Sequence, residues 1–426
     1  MKVLVIGGGI SGLTMGLSLH QAGIPVRVYE AAREVTPLGV GINLQPNAIR
    51  ELVELGLGDQ LARAGIATQE LQFFNKFGQL IWREPRGLAA GFKWPQYSIH
   101  RGQLQMILLT ALRERIGSDN VRTGHQLESF QQRNDRVIAS FRDRQSEAIV
   151  EADDADILIG ADGIHSTVRR QFYPSEGEPT FAQQILWRAA VEAEPFLGGR
   201  TMIVAGHYHQ RVVVYPIGPS MTKPGRLMIN WIAQMSVPDD APPREDWNRR
   251  VTKEKFFSAY RNWHFPWLDV AGMIEQTEDI FEFPLVDRHP VERWSFGRVT
   301  LIGDAAHPMQ PTGSQAGSQA IVDARMLTAA LLATSDSVEA LRRYDTERRP
   351  VMSEVTLRNR RFGPEAAMQL AEERAPHGFS HIEDVISREE FETISQSFRT
   401  VAGLDPATLN SRPPFVPLTQ EYSKRH

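Results

Sequence analysis

The sequence predicts an α/β fold: a Rossmann-like nucleotide-binding domain, interrupted by an inserted antiparallel β-sheet domain and followed by C-terminal helices. Three observations lead there. The 426 residues are too many for one compact core. The chain opens on a strand–turn–helix–strand unit, "KVLVIGGGISGLTMGLSLHQAGIPVRVYE". It turns β-rich between about residues 181 and 284, then returns near Arg298 to the buried-strand pattern of its start.

In the opening unit, Val3 to Ile6 form a continuous apolar run, as a strand buried on both faces requires. Gly7, Gly9 and Gly12 make GxGxxG. The first allows a tight turn, the second lets backbone approach a pyrophosphate, and the third lets the helix pack on the strand. The helix N-terminus offers unpaired N–H groups to phosphate. Glu30 closes the second strand, where it can accept both hydroxyls of an adenosine ribose. Together these describe a Rossmann-like dinucleotide site. The acid disfavours a 2′-phosphate, so FAD or NAD is preferred over NADP here.

Further along, "PLGVGINLQPNAIREL" carries Gly39, Gly41, Gln45 and Asn47 in a loop that enters a helix at about Pro46. Its glycines either let backbone lie against a flat ring or form an ordinary turn. "YSIHRGQLQMILLTALRERI" is an amphipathic helix through Leu104, Ile107, Leu108, Ala111 and Leu112. Arg101, just before it, could be a surface charge or could reach a diphosphate with its planar fork. "DADILIGADGIHSTVRRQF" is a second strand-to-helix turn with a helix from about His165 or Ser166. Asp162 could cap that helix or approach a cofactor.

The segments "ILWRAAVEAE", "TMIVAGHYHQRVVVYPIG" and "GRLMINWIAQM" read as antiparallel strands. "REDWNRRVTKEKFFSAYRNWHF" reads as a helix. "RVTLIGDAAHPMQPTGSQAGSQ" is a buried strand that ends on Asp304, a position for a cap or for a ligand-binding acid. The last ~60 residues read as helices with a polar tail. Residues 1–75, 99–180 and 285–365 are expected to form the discontinuous nucleotide-binding domain, 76–98 and 181–284 the β-rich substrate domain, and 366–426 a helical region.

Composition narrows the function. A net charge of -4 argues against nucleic acid and against an anionic membrane surface. There are no cysteines, which removes thiolate catalysis, disulfides and iron–sulfur ligation and fits a reducing cytoplasm. A strand begins almost at once, so no signal peptide is expected, and no apolar run approaches the ~18 residues of a membrane span. His207 and His209 lack the further ligands of a metal site, and no GxSxG elbow supports a serine hydrolase.

The order GxGxxG…Glu30, then "GADGIHSTVR", then "GDAAHPMQP" resembles the group A flavin-dependent aromatic monooxygenases, the para-hydroxybenzoate hydroxylase-like family. The resemblance covers about residues 1 to 370. Within the family, "LGVGINLQPNAI", "EPRG", "PQYSIHRGQLQMILL" and "GADGIHS" are most similar to segments of phenazine hydroxylases. It implies FAD as cofactor, NADH or NADPH as reductant, and O2 used through a flavin C4a-hydroperoxide to hydroxylate an aromatic or N-heteroaromatic substrate, a carboxylate among the candidates, with decarboxylation as a variant.

It also implies roles for individual residues. Asp304 would bind the FAD ribitol and Arg101 the diphosphate, while Asp162 lies in the motif tied to FAD and nicotinamide nucleotide. Pro311 would lie at the site of oxygen chemistry, and Gly313 and Gly317 would bring N–H groups to the ring. The loop "TGSQAGSQ" departs from the family pattern. Trp187, Arg188, Tyr215 and Trp231 are the substrate candidates, since aromatic rings stack flat ligands and arginine pairs carboxylates. The chain is expected to act as a monomer or homodimer. The competing readings are a non-hydroxylating flavin reductase, a flavoprotein without turnover, and an NAD-dependent dehydrogenase. A flavin halogenase is disfavoured because no WxWxIP segment is present.

Overall fold

The computed structural model describes the chain except residues 38, 145, 239–248, 361–364, 400–404 and 418–426. A five-stranded sheet runs in the order Val299–Leu301, Ile157–Gly160, Val3–Ile6, Val26–Glu30, Val121–Thr123. Every neighbouring pair in it is parallel. Val3, Leu4, Val5, Ile157, Leu158, Ile159, Val299 and Leu301 are all fully enclosed, because helices cover one face and the antiparallel strands Gln126–Arg133, Arg136–Arg142 and Ile149–Ala155 pack on the other. Three of these strands end beside one another, at Ile6, Gly160 and Leu301. This sets the turns after them, from distant parts of the sequence, at one edge of the domain.

The second layer is an eight-stranded sheet in the order Arg250–Val251, Ile280–Asp287, Thr180–Ala193, Leu227–Ser236, Gln210–Pro219, Thr201–His207, Glu70–Phe74, Leu80–Pro85. It takes in Glu70–Phe74, which the expected boundary at 75 gave to the nucleotide-binding part, and it runs to Asp287, past the expected boundary at 284. Strand residues alternate between its two faces. Trp187, Ala189, Ile203, Ala205, Val212, Val214, Trp231 and Ala233 point to one face, where Phe256, Tyr260, Trp263 and Phe265 close a core. Leu71, Phe73, Met202, Val204 and Tyr215 point to the other. There, helices Glu365–Arg374 and Arg388–Arg399 pack Ala367, Met368, Ala371 and Phe391 against it as a roof.

Two sequence expectations change. The helix expected over "REDWNRRVTKEKFFSAYRNWHF" begins outside the described residues, and from Arg249 to Phe265 there is no α-helix. The chain makes strand Arg250–Val251, the 3₁₀ turns Lys253–Lys255 and Phe257–Ala259, and strand His264–Phe265. Phe256, Tyr260 and Trp263 do have helical spacing. However, Arg250–Val251 is held in the ladder against Ile280–Asp287, and the rings fill the space beneath the sheet. Tertiary packing overrides the local pattern. Trp187 and Trp231, expected at the substrate, are also placed elsewhere. Trp187 stacks on Phe256 at 4.5 Å and donates to Glu282, and Trp231 donates to Thr277, all on the core face.

Trp187→Ala is therefore expected to cost about 3–5 kcal/mol of stability in urea denaturation, the penalty of a buried aromatic-to-alanine cavity. A loss below about 1 kcal/mol would contradict this placement of the ring.

Candidate active site

The GxGxxG turn is shaped by what surrounds it. Gly7 has φ +112°, and a Cβ there would lie 2.3 Å from the Ala161 carbonyl oxygen, so the first turn and the Asp162 turn are in backbone contact. A Cβ on Gly12 would sit 1.9 Å from the Gly7 oxygen, whereas one on Gly9 would face open space. The N-terminus of helix Ile10–Gln21 is thus clear on the side where a phosphate would approach. Glu30 accepts the Gly8 N–H at 2.6 Å and the Ala32 N–H at 2.8 Å, which anchors its carboxylate at the strand end.

Asp162 is tied to the start of the following helix. Its carboxylate accepts from Ser166 Oγ at 2.5 Å and from the Thr167 and Val168 N–H groups at 2.7 and 3.3 Å. It thus takes up the first N–H groups of helix Thr167–Phe172, whose N-cap is Ser166. These bonds give Asp162 a structural hold on the turn behind Gly7.

Asp304 behaves differently. Its carboxylate is reached by solvent and makes no hydrogen bond to the described residues. Desolvation by the surrounding protein raises its pKa, His307 and Arg101 pull it back, and Asp323 adds to the rise. Beside it, the Ser11 hydroxyl is buried without a partner, and a Cβ on Gly303 would fall 2.6 Å from it. Arg101 is exposed at the first turn of helix Arg101–Ile116. A carboxylate, a hydroxyl, a guanidinium and a helix N-terminus thus face one region with their polar atoms uncommitted. This set suits the hydroxyls and diphosphate of a dinucleotide.

The turn that carries Asp304 is fixed from below. Asp323 is fully buried and accepts from the Gly303 N–H at 2.9 Å, from His307 Nε2 at 2.6 Å and from Arg348 Nε at 2.6 Å. Burial alone would raise its pKa, but His307 and Arg348 outweigh burial and bring it down to about 2. Arg169 adds hydrogen bonds to the Ala305 and Ala306 carbonyls at 3.2 and 2.8 Å.

Next to this turn lies a cavity of about 260 Å³ between the loop Pro311–Gly317, the strand Gly41–Leu44 and the roofed face of the large sheet. Gly41, Pro311, Gly313 and Gly317 all line it. A Cβ on Gly41 would strike the Tyr215 ring at 2.6 Å, and one on Gly317 would strike Ile42 at 2.7 Å, so both pinch points need glycine. The walls are apolar, through Leu71, Phe73, Met202, Val204, Val213 and Ile232.

Arg188 and Tyr215, two of the four substrate candidates, line this cavity. Arg188 donates to the Gly41 carbonyl at 3.2 Å, its Nε has no partner, and no carboxylate among the described residues pairs with it. Burial lowers its pKa, Tyr215 opposes the shift and Arg101 adds to it. The Tyr215 hydroxyl is pushed up to about 12 by burial against the pull of Arg188, so it stays a hydrogen-bond donor at neutral pH. Sequence reasoning missed Arg211, Gln234 and Glu365, which also line the cavity. For Arg211 a signal was present. It shares its parity along the strand with Tyr215, so a cavity that receives one receives the other. The same rule separates Arg188 from its neighbour Trp187.

The FAD binding domain family profile matches residues 1–359. The phenazine 1,6-dicarboxylic acid hydroxylase of Lysobacter antibioticus is 43% identical over 361 residues, 84% of this chain and 89% of that protein. A 3-amino-4-hydroxybenzoate 2-monooxygenase of Streptomyces platensis is 34% identical over 372 residues, 85% of this chain and 88% of its own. Among solved structures, Klebsiella pneumoniae HpxO with FAD and uric acid shares the fold, with a TM-score of 0.73, 23% identity and 97% of both chains covered.

Asp323→Asn leaves the buried Arg348 guanidinium facing an amide, so the expected loss at pH 7 is about 3–5 kcal/mol. The folded carboxylate has a depressed pKa, so its contribution is complete above the ordinary carboxylate value of about 3.9 and is lost as pH falls toward about 2. Denaturation curves of wild type and variant should accordingly converge on acidification.

Proposed function

The chain belongs to the FAD binding domain family, and from that premise we infer that it is an FAD-dependent aromatic monooxygenase, acting with NAD(P)H and O2 on a planar aromatic or N-heteroaromatic acid. The observation that carries the substrate reading is Arg188, a desolvated guanidinium without a carboxylate partner at the head of an apolar slot beside Pro311–Gly317. Such a group is costly to bury unless a ligand anion completes it.

The residues present fit FAD. Glu30 would hold the adenosine ribose, the N-terminus of Ile10–Gln21 and Arg101 the diphosphate, and Asp304 the ribitol. Gly41, Gly313 and Gly317 would let backbone approach the ring. When bound, FAD supplies hydride acceptance from the nicotinamide and activation of O2. Overall, the ring gains one oxygen atom, the second oxygen leaves as water, and NAD(P)H is oxidised.

The protein's own part is positioning and exclusion. Arg188 pairs the substrate acid, and the apolar walls clamp its flat ring. Tyr215 donates a hydrogen bond, and the helical roof keeps water out. The N-terminus of helix Ala316–Ala333 presents unpaired N–H groups that stabilise negative charge developing nearby. The lack of cysteine fits a cytoplasmic enzyme, and no helix among the described residues is long and apolar enough to cross a membrane.

The test is NADH and NADPH oxidation by the yellow holoenzyme across aromatic and phenazine acids, with peroxide and product mass followed together. An acid that accelerates oxidation and gains one oxygen is the expected result, and loss of CO2 as well marks the decarboxylative variant. Peroxide as the sole product with every acid would overturn the reading. Arg188→Met is expected to raise KM for the acid about tenfold or more and to divert turnover toward peroxide.

A further inference from the structure

A second chamber of about 250 Å³ adjoins the first and shares Arg211, Thr312 and Glu365 as lining. Arg211 is tied at one edge only: its Nε donates to Gln234 Oε1 at 3.1 Å, and the Gln234 amide donates in turn to Gln184. No carboxylate among the described residues pairs with its guanidinium, whose remaining N–H groups stand between the two chambers. Of the acids lining this region, Asp287 is already satisfied by Arg360, at 2.8 and 2.9 Å. Glu365 is not: its Oε2 is buried without a partner.

Strand register gives the spacing. Arg188 stands opposite Ile232, Ile232 stands opposite Val213, and Arg211 is two residues beyond Val213 on the same face. Two strand spacings and two residue rises put the Arg188 and Arg211 Cα atoms about 12 Å apart. The wall between them is Leu186, Ile232 and Val213, with Gln234 beside Arg211. The cavity therefore has a cation at each end of an apolar floor, which a ligand with a single acidic group satisfies at one end only.

We propose that Arg211 is a specificity-determining residue that holds a second acidic group of the substrate, at the end remote from Arg188, so that the preferred class is a planar aromatic diacid. This rests on the aromatic-acid reading above. Glu365, on the same shared wall, opposes that second anion and limits its affinity. Removing the two charges should therefore act in opposite directions.

The test titrates the holoenzyme with phenazine-1,6-dicarboxylate and with phenazine-1-carboxylate, following perturbation of the flavin absorbance at low salt. The diacid is expected to bind about tenfold more tightly than the monoacid. Arg211→Met should remove that difference and leave the monoacid Kd unchanged. Glu365→Gln should tighten the diacid severalfold without affecting the monoacid, so the proposal stays testable if Arg211→Met folds poorly. Equal affinity for the two acids with hydroxylation intact, or equal weakening of both by Arg211→Met, would overturn the second pole alone. No perturbation and no stimulated oxidation by either acid would overturn the aromatic-acid reading and the second pole with it.

Discussion

The site depends on one buried carboxylate. Asp323 sits on helix Ala316–Ala333 and reaches the turn at Gly303 and His307 as well as Arg348 on helix Ser337–Asn359. One side chain thus fixes the strand end that offers Asp304, the helix whose N-terminus faces the cavity, and the helix that leads to the roof. Its charge survives burial because Arg348, His307 and an amide N–H meet it. Asp304, only a short way off, has no such partners among the described residues and remains free for a ligand.

The large sheet divides its work by parity. The core face holds the heavy aromatics, where Trp187 stacks on Phe256 and Tyr260 donates to the Gln234 carbonyl at 2.8 Å. The cavity face holds arginine, tyrosine and aliphatic side chains under a helical roof. A rigid aromatic floor lets the opposite face carry desolvated cations without collapsing onto them. The proposed recognition of the substrate is in this sense supported from the far side of the sheet.

Legibility in the sequence follows the same division. Features set by local backbone demands were readable. Gly12 is forced by a contact within the first turn and Gly7 by its positive φ there, and the position of Glu30 follows from strand length. The start of a helix at Pro46 also stands where the sequence puts it. Features set by partners far along the chain were not. Trp187 and Arg188 are neighbours, and alternation shows that only one can face a ligand, but which one depends on where the roof packs. Tyr260 and Trp263 have helical spacing, and only the strand pairing at the sheet edge removes the helix. Asp162 was open to two roles because its cap and its motif coincide. Glu365 gave no signal at all, since its position comes from the docking of a C-terminal helix.

Three adjacent strands of the parallel sheet, ending at Ile6, Gly160 and Leu301, have a consequence for biosynthesis. The groups that would grip the cofactor come from both ends of the chain, so a nascent polypeptide has no complete cofactor site until the segment after Leu301 has left the ribosome. The glycine turn is made first and must wait, with its N–H groups solvated, for strands Ile157–Gly160 and Val299–Leu301 to dock beside it. Such long-range closure is slow relative to local structure. The cofactor site is therefore completed only late in maturation, once strand Val299–Leu301 has docked.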